Sequence, residues 1–139
     1  MNSLPEKLRA AIGQHPAIFG HIFGSYSKGS ASQLSDLDVA VYLDPQLSKY
    51  ARHRARMNLI TLCQEVIPDT RVDLVALNDV PPILGFEIIK YGKMIFDLDP
   101  TVRQSVEERM IMNYLDFKPF SDKFNFWQTE TILESKASD

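Results

Sequence analysis

The feature that most constrains the fold is a pair of short apolar runs on either side of a segment rich in glycine and serine. The first run, Ala17–Phe23, is bounded by Pro16 and Gly24, and the second, Leu37–Leu43, ends at an Asp-Pro pair. Runs of this length are too short for a typical globular helix, and proline and glycine are typical strand boundaries. We therefore predict two buried strands joined by a glycine- and serine-rich loop.

The other elements follow from helical periodicity and from proline and glycine boundaries. Apolar residues recur at helical spacing in several segments, the first opened by a Ser3–Glu6 capping box and the last by Thr101 as a candidate cap. The predicted helices cover residues 4–13, 50–66, 82–89 and 102–115, and further strands cover residues 72–77 and 94–96. This order predicts a mixed α/β (α+β) domain over residues 1–116, with a small sheet of about four strands flanked by helices.

Charge and cysteine content narrow the function classes. The 139 residues carry 15 Lys+Arg and 18 Asp+Glu, so no global positive field is present to hold a nucleic-acid backbone. A single cysteine, Cys63, allows neither an internal disulfide nor a cysteine-based zinc site. No stretch approaches the roughly 20 apolar residues of a membrane span, and the N-terminus lacks the apolar run of a signal peptide. We expect a cytoplasmic protein that binds neither a membrane nor nucleic acid directly.

The segment 117–139 differs in composition from the rest of the chain. It holds half of the eight phenylalanines and the single tryptophan, namely Phe117, Phe120, Phe124, Phe126 and Trp127. Aromatic clusters of this kind are buried against something. We predict a C-terminal extension that either folds back on the domain or docks on a partner protein.

Three aspartates lie at positions where a carboxylate without a partner is energetically unfavourable. Asp36 and Asp38 open the second predicted strand, and alternate residues of a strand face the same side. Like charges this close raise each other's pKa, and a divalent cation relieves the repulsion by supplying charge and coordination. Asp73 lies among apolar residues, where an unpaired carboxylate is costly. These positions predict a catalytic Mg²⁺ site built from Asp36, Asp38 and Asp73.

Gly24 and Ser25 directly follow the first predicted strand. Glycine lets the backbone turn tightly and approach a ligand closely, and serine supplies a hydroxyl and an amide donor. We therefore expect Gly24 and Ser25 to bind phosphate.

A second Asp-x-Asp triplet provides an internal comparison. Asp97-Leu98-Asp99 has the same spacing as Asp36-Leu37-Asp38, but proline follows it and no Gly-Ser loop precedes it. It is predicted to form the turn before the last helix. Asp-x-Asp alone is also typical of surface caps. The interpretation of the first triplet as a cation site therefore depends on the glycine-serine pair that precedes it.

Other polar side chains are assigned structural roles. His15, His21 and His53 have neither metal-ligand spacing nor a nearby nucleophile motif. Cys63 lies on the apolar face of the second predicted helix and is expected in the core. The arginines of that helix are spread around it, which favours a solvated face over contact with phosphates or an acidic partner.

This combination resembles the nucleotidyltransferase (polymerase beta-like) superfamily. The resemblance covers about residues 15–98, and the residues that carry it are Gly24, Ser25, Asp36, Asp38 and Asp73. In size the chain is similar to the minimal nucleotidyltransferase (MNT) branch, which consists of little more than the catalytic core. The resemblance implies the nucleotidyltransferase fold and an enzyme that transfers a nucleotide.

The resemblance also implies a substrate, a cofactor and a partner. Asp36 and Asp38 would bind two Mg²⁺ ions that bridge the triphosphate of ATP, and Asp73 would complete the second site. MNT proteins are typically antitoxins of HEPN-domain ribonuclease toxins. The implied reaction is AMP transfer to a tyrosine of such a toxin within a hetero-oligomer.

Two other functions stay open at the level of sequence. Nucleotide transfer to a small molecule such as an aminoglycoside uses the same core, but it normally needs extra chain for an acceptor pocket. A non-catalytic antitoxin would act by binding alone, with the aromatic extension covering the toxin. Retention of all three aspartates favours catalysis over binding alone.

Overall fold

The elements of the fold follow the apolar runs of the sequence. The computed structural model describes residues 3–24 and 36–137, with side chains through Lys118. Its strands are β1 (Ala17–Phe23), β2 (Leu37–Leu43), β3 (Val72–Ala76) and β4 (Lys93–Asp97). Its helices are α1 (Leu4–Ile12), α2 (Lys49–Val66), α3 (Pro82–Tyr91) and α4 (Pro100–Ala137), and a 3₁₀ turn covers Leu77–Asp79. The predicted order of helices and strands is confirmed.

The four strands form one mixed sheet in the order β3-β2-β1-β4. β1 is antiparallel to β2 and β4, whereas β2 is parallel to β3. Because parallel neighbours need a crossover, α2 connects β2 to β3. The Asn78 side chain fixes the end of β2, since its Oδ1 accepts from Leu43 N and its Nδ2 donates to Leu43 O, both at 2.9 Å. The predicted small mixed sheet is confirmed.

Alternation along β2 divides the core into two layers. Leu37 and Val39 are buried in the layer that contains residues of α1 and α2. Ala40 and Tyr42 are buried in the layer that contains residues of α3 and α4. Since successive side chains of a strand point to opposite faces, Asp38 projects on the side of Ala40 and Tyr42. The carboxylate therefore lies at the start of β2 on the α3 and α4 side of the sheet.

Side-chain caps fix the beginnings of the helices, with one difference from the prediction. Ser3 Oγ accepts from the backbone N–H three residues later at 3.4 Å, as the capping box predicts for α1. The prediction that Thr101 caps α4 is wrong. The helix begins at Pro100, and Asp99 Oδ1 accepts from Val102 N at 3.2 Å. Proline is favoured at the first helical position, which explains why the helix starts before Thr101.

The second Asp-x-Asp triplet has a structural role. Asp97 Oδ2 accepts from Arg103 Nε at 2.5 Å, and Arg103 Nη1 donates to Glu107 at 2.9 Å. Asp99 caps α4, so both carboxylates hold the turn between β4 and α4. The predicted turn before the last helix is confirmed.

The cysteine and two of the histidines hold structural positions. Cys63 is fully buried, and burial raises the pKa of its thiol to about 11. His21 is buried in the sheet with its ring centroid 5.8 Å from that of Phe19. His15 Nε2 lies 3.0 Å from Asp44 Oδ2 on the surface. The predicted core position of Cys63 is confirmed.

The last helix continues past the predicted domain boundary. The predicted junction between residues 116 and 117 lies within α4. Val106 is buried in the core, and the Tyr114 ring stacks on Phe86 with centroids 3.9 Å apart. The docking role of residues 117–139 stays a prediction. Within the described ranges, no helix has an apolar stretch long enough to cross a lipid bilayer.

Candidate active site

Gly24 follows β1 in a backbone conformation that favours glycine. Its φ of 72° lies in the left-handed region. A Cβ added at this position would lie 2.5 Å from Oδ2 of Asp38, nearer than side-chain atoms normally approach. The Asp38 carboxylate therefore lies directly against the backbone of Gly24, and the tight turn predicted for this glycine is confirmed.

The sheet register places Asp38 beside Asp73. Asp38 pairs with Phe23 of β1 on one side and with Asp73 of β3 on the other. Paired residues of neighbouring strands point to the same face, so both carboxylates project on the α3 and α4 side. Asp38 is half-buried and Asp73 is exposed. The starts of two parallel strands thus present a carboxylate pair next to the half-buried Gly24.

The carboxylates of Asp38 and Asp73 repel each other. Burial raises the pKa of Asp38 above its ordinary range, and the charges of Asp73 and Asp36 raise it further. Close like charges have this effect because ionisation of one carboxylate disfavours ionisation of the next. Such a pair is electrostatically suited to a cation.

Those predicted site residues that the structure describes lie at one end of the sheet. Asp36 is exposed immediately before β2, and Ser25 lies outside the described residues. Among the side chains of residues 3–24 and 36–118, no group of three His, Cys, Asp or Glu is close enough to hold a metal ion. The Asp38 and Asp73 pair nevertheless fits Mg²⁺, which commonly binds one or two carboxylates together with substrate phosphates. The metal-binding role of the three aspartates stays a prediction.

Gln64, which the sequence analysis did not single out, holds the segment that leads to Asp73. Gln64 Nε2 donates to Ile67 O at 2.8 Å and to Thr70 O at 2.7 Å. Its Oε1 accepts from Val72 N at 3.2 Å. These bonds tie the loop before β3 to α2. Glutamine near a helix end is too common for the sequence alone to indicate this role.

A small pocket opens beside Gly24. Its volume is about 190 Å³, and it is lined by Phe23, Gly24, Leu84, Glu87 and Tyr91. The sequence gives no signal for the residues of α3 in this pocket, because their position beside β1 depends on helix packing. Pockets that bind drug-sized molecules begin at about 300 Å³, so this pocket is small for an extended organic acceptor.

A family model decides the classification of the chain. The family described as polymerase beta, nucleotidyltransferase matches residues 6–101, a range that contains Gly24 and all three aspartates. The chain belongs to this family. The resemblance inferred from the Gly-Ser and Asp-x-Asp pattern is confirmed, together with the fold that it implies.

The chain is also similar to a protein adenylyltransferase. It is 32% identical over 95 residues to the protein adenylyltransferase MntA of Shewanella oneidensis. The match covers 68% of this chain and 63% of MntA. The chain therefore spans slightly less than two thirds of the length of this relative.

Solved structures with a similar fold come from toxin-antitoxin complexes. A chain of a complex described as a toxin-antitoxin with AMP-PNP is 24% identical, with a TM-score of 0.64 over 85% of this chain and 92% of that chain. A chain from tri-AMPylated Shewanella oneidensis HEPN toxin in complex with MNT antitoxin is 20% identical, with a TM-score of 0.63 over 87% and 95%. At these identities the likeness establishes the fold.

Proposed function

We propose that this nucleotidyltransferase is an antitoxin that transfers AMP from ATP to a tyrosine hydroxyl of a HEPN-domain RNase toxin and thereby neutralises it. The observation that carries the proposal is the register of Asp38 with Asp73 beside the half-buried Gly24. The likeness to MntA, and to chains from complexes with AMP-PNP and with an AMPylated HEPN toxin, supports the choice of substrate and partner. The toxin and antitoxin would form a hetero-oligomer.

Gly24 and Ser25 are the proposed phosphate-binding residues. Glycine allows a ligand to approach the backbone closely, and Gly24 is the residue that directly follows β1. Ser25 adds a hydroxyl and an amide donor. Because the Asp38 carboxylate lies against the same backbone, phosphates here need a cation to offset the negative charge.

Asp36, Asp38 and Asp73 are the proposed ligands of two Mg²⁺ ions. Carboxylate and phosphate oxygens are the ligands that Mg²⁺ prefers. When bound, Mg²⁺ lowers the pKa of an attacking hydroxyl and neutralises charge on the departing pyrophosphate.

Asp73 is the proposed acceptor of the tyrosine proton, because it is the exposed member of the pair. In the reaction the tyrosine oxygen forms a bond to the α-phosphorus of ATP. The bond from that phosphorus to the bridging oxygen breaks, and pyrophosphate leaves. The proton passes from the tyrosine hydroxyl to Asp73 and then to water.

The dimensions of the site support a protein acceptor over a small molecule. The pocket beside Gly24 has a volume of about 190 Å³, below the range of typical ligand pockets. An exposed carboxylate at the start of a strand suits an acceptor that a second protein presents. Transfer to an aminoglycoside is therefore less well supported.

Inhibition by binding alone is the second candidate. Ile111, Met112 and Leu115 of α4 are 38%, 58% and 53% exposed, and they precede the aromatic segment. Exposed apolar side chains that are close together often mark protein interfaces. These residues support complex formation under both candidate functions, so binding data cannot separate the two.

Intact-protein mass spectrometry of the toxin separates them. The co-encoded or co-purified HEPN-domain partner is incubated with this protein and each nucleoside triphosphate in turn, with Mg²⁺ or with EDTA. The Asp36→Ala/Asp38→Ala double variant is the control. Peptide mapping then locates the modified residue.

The proposal expects the toxin to gain whole AMP units from ATP, on tyrosine, with Mg²⁺ and not with EDTA or with the double variant. A stable complex that silences the toxin without any gain in mass overturns the enzymatic proposal and leaves binding alone. A gain from another nucleotide corrects the donor but retains nucleotide transfer.

A further inference from the structure

A second pocket lies at the opposite end of β2 from the carboxylates. Its volume is about 310 Å³, and residues from the starts of α2 and α3, the 3₁₀ turn and the first half of α4 line it. Asp38 lies near the start of β2, whereas Tyr42 near the end of the strand lines this pocket. The pocket shares no residue with the candidate active site.

One arginine of this pocket is already neutralised. Arg52 donates to both carboxylate oxygens of Asp79, through Nε at 3.1 Å and through Nη2 at 2.8 Å. Its Nη1 donates to Leu47 O at 2.9 Å. Arg52 therefore borders the pocket without adding unbalanced charge.

Arg109 is in a different situation. Its Nη2 lies 3.4 Å from the neutral hydroxyl of Tyr42, and among the described side chains no carboxylate forms an ion pair with it. A guanidinium has five N–H donors in a planar fork that matches carboxylate and phosphate oxygens. The pocket thus contains a positive charge whose donors are largely available to a ligand.

The hydroxyl that faces Arg109 is held rigidly. Tyr42 is 5% exposed, and its ring stacks on Phe19 with centroids 5.3 Å apart. The Asn113 carboxamide lines the same pocket, while Leu77 and Met110 supply apolar surface. More of the pocket surface is polar than apolar, which suits a small ligand with a charged head.

We propose that this pocket binds a small organic anion. The carboxylate or phosphate head is held by the Arg109 guanidinium and the Tyr42 hydroxyl, and the apolar body of the ligand lies against Leu77 and Met110. A volume of about 310 Å³ is at the small end for ligand pockets, which suits a compound built on a single ring. The proposal is independent of the AMP-transfer reaction.

Calorimetric titration tests the site with three probes. Phenyl phosphate and benzoate combine a ring with each type of head, and inorganic phosphate supplies the head alone. The titrations are made in EDTA, so that divalent cations do not recruit phosphate to the aspartates. The variants are Arg109→Gln, Tyr42→Phe, and Arg54→Gln, which removes an exposed arginine on α2 outside the pocket.

The proposal expects saturable binding of one molecule of phenyl phosphate or benzoate. Arg109→Gln should weaken it about tenfold or more, Tyr42→Phe should weaken it a few-fold, and Arg54→Gln should leave it unchanged. Whichever aromatic anion binds more tightly identifies the preferred head. No saturation up to about 10 mM, or inorganic phosphate binding as tightly as both aromatic anions, overturns the proposal.

Discussion

At the scale of single residues, the candidate site depends on a carboxylate in contact with a backbone. Gly24 has a positive φ, and its Cα faces the Asp38 carboxylate with no room for a further carbon. This explains in physical terms why glycine is required there. It also makes the position testable without changing any charge.

Gly24→Ala should lower both stability and AMP transfer. The new Cβ would meet Asp38 Oδ2, and a positive φ costs alanine about 1–2 kcal/mol in unfolding free energy. Chemical denaturation and a transfer assay measure the two effects. In the control Gly85→Ala, the Cβ would meet Val80 at 3.5 Å, an ordinary contact, so stability should hold or rise. Full transfer by Gly24→Ala would contradict the proposed close approach of phosphate.

His21 should make the stability of the domain depend on pH. Burial lowers its pKa from the ordinary 6.5; nearby Glu107 and Asp97 act in the opposite direction, and Arg103 lowers it further. Between 6.5 and the lowered pKa the unfolded chain binds more protons than the folded one. The unfolding free energy should therefore decrease as the pH falls through this window, and it should be steady with respect to His21 above about pH 7.5.

Denaturant titrations across this pH range check that expectation. His21→Leu should flatten the pH dependence, because it removes the buried imidazole. His53→Gln, which removes an exposed imidazole on α2, is the matched control and should leave the pH dependence as it is. If the unfolding free energy of His21→Leu depends on pH as steeply as that of the parent, His21 is not the source of the pH dependence.

The tight turn at Gly24 and the common face of Asp36 and Asp38 were predictable, because a glycine that ends a strand and alternate residues of a strand follow from the sequence pattern. The phosphate- and metal-binding roles of these residues stay predictions. Gln64 was not predictable, because its role depends on where three backbone groups of a loop lie. The contact between Gly24 and Asp38 was also not predictable, since it depends on the pairing of β1 with β2.

At the scale of elements, strand boundaries were predictable but register was not. β1 and β2 match the predicted runs, whereas β3 ends at Ala76, because Leu77 begins a 3₁₀ turn. The juxtaposition of Asp38 with Asp73 depends on β2 being parallel to β3, with Leu37 N donating to Arg71 O at 2.8 Å. The sequence does not specify this alignment. In each strand alternate residues are apolar, and that pattern stays the same whichever residues are paired.

Gln64→Leu should weaken transfer as well as stability. The variant leaves two backbone carbonyls and Val72 N without their side-chain partner, a loss of about 1–3 kcal/mol in unfolding free energy. The start of β3 would be held less firmly, so kcat should fall more than KM changes. Gln64→Glu keeps the acceptor for Val72 N but turns a carboxylate oxygen toward the two carbonyl oxygens, so it should lose at least as much as Gln64→Leu. Unchanged kcat in Gln64→Leu would show that α2 is not needed to position Asp73.

In the whole molecule, the candidate catalytic aspartates lie apart from the exposed apolar side chains. The aspartates lie at one end of the β2 and β3 pair, the anion pocket lies at the other, and exposed apolar side chains follow α4. This separation lets a partner dock on α4 without covering the carboxylates. The two-layer arrangement was predictable from the order of elements, but the course of α4 beyond residue 116 was not.

Removal of residues 119–139 should strongly weaken toxin binding and leave the domain folded. Val106 and the Tyr114–Phe86 stack, which attach α4 to the domain, are retained in this variant. We expect the melting temperature to change by no more than about 4 °C and toxin affinity to fall at least about a hundredfold. Thermal unfolding and calorimetry measure these quantities. Undiminished affinity would contradict the docking role of the extension.

Two aspartates in identical Asp-Leu-Asp triplets allow a direct test of catalysis at the candidate site. Asp38→Asn and Asp99→Asn each neutralise the second carboxylate of an Asp-Leu-Asp triplet, and asparagine retains the cap at position 99. The rate of AMP transfer to the toxin, measured by intact mass, should fall at least about a hundredfold in Asp38→Asn and stay near the parent value in Asp99→Asn. Asp38→Asn should be at least as stable as the parent, since it removes a repelled, half-buried charge. Equal rates in the two variants would contradict catalysis at the Asp38 and Asp73 pair.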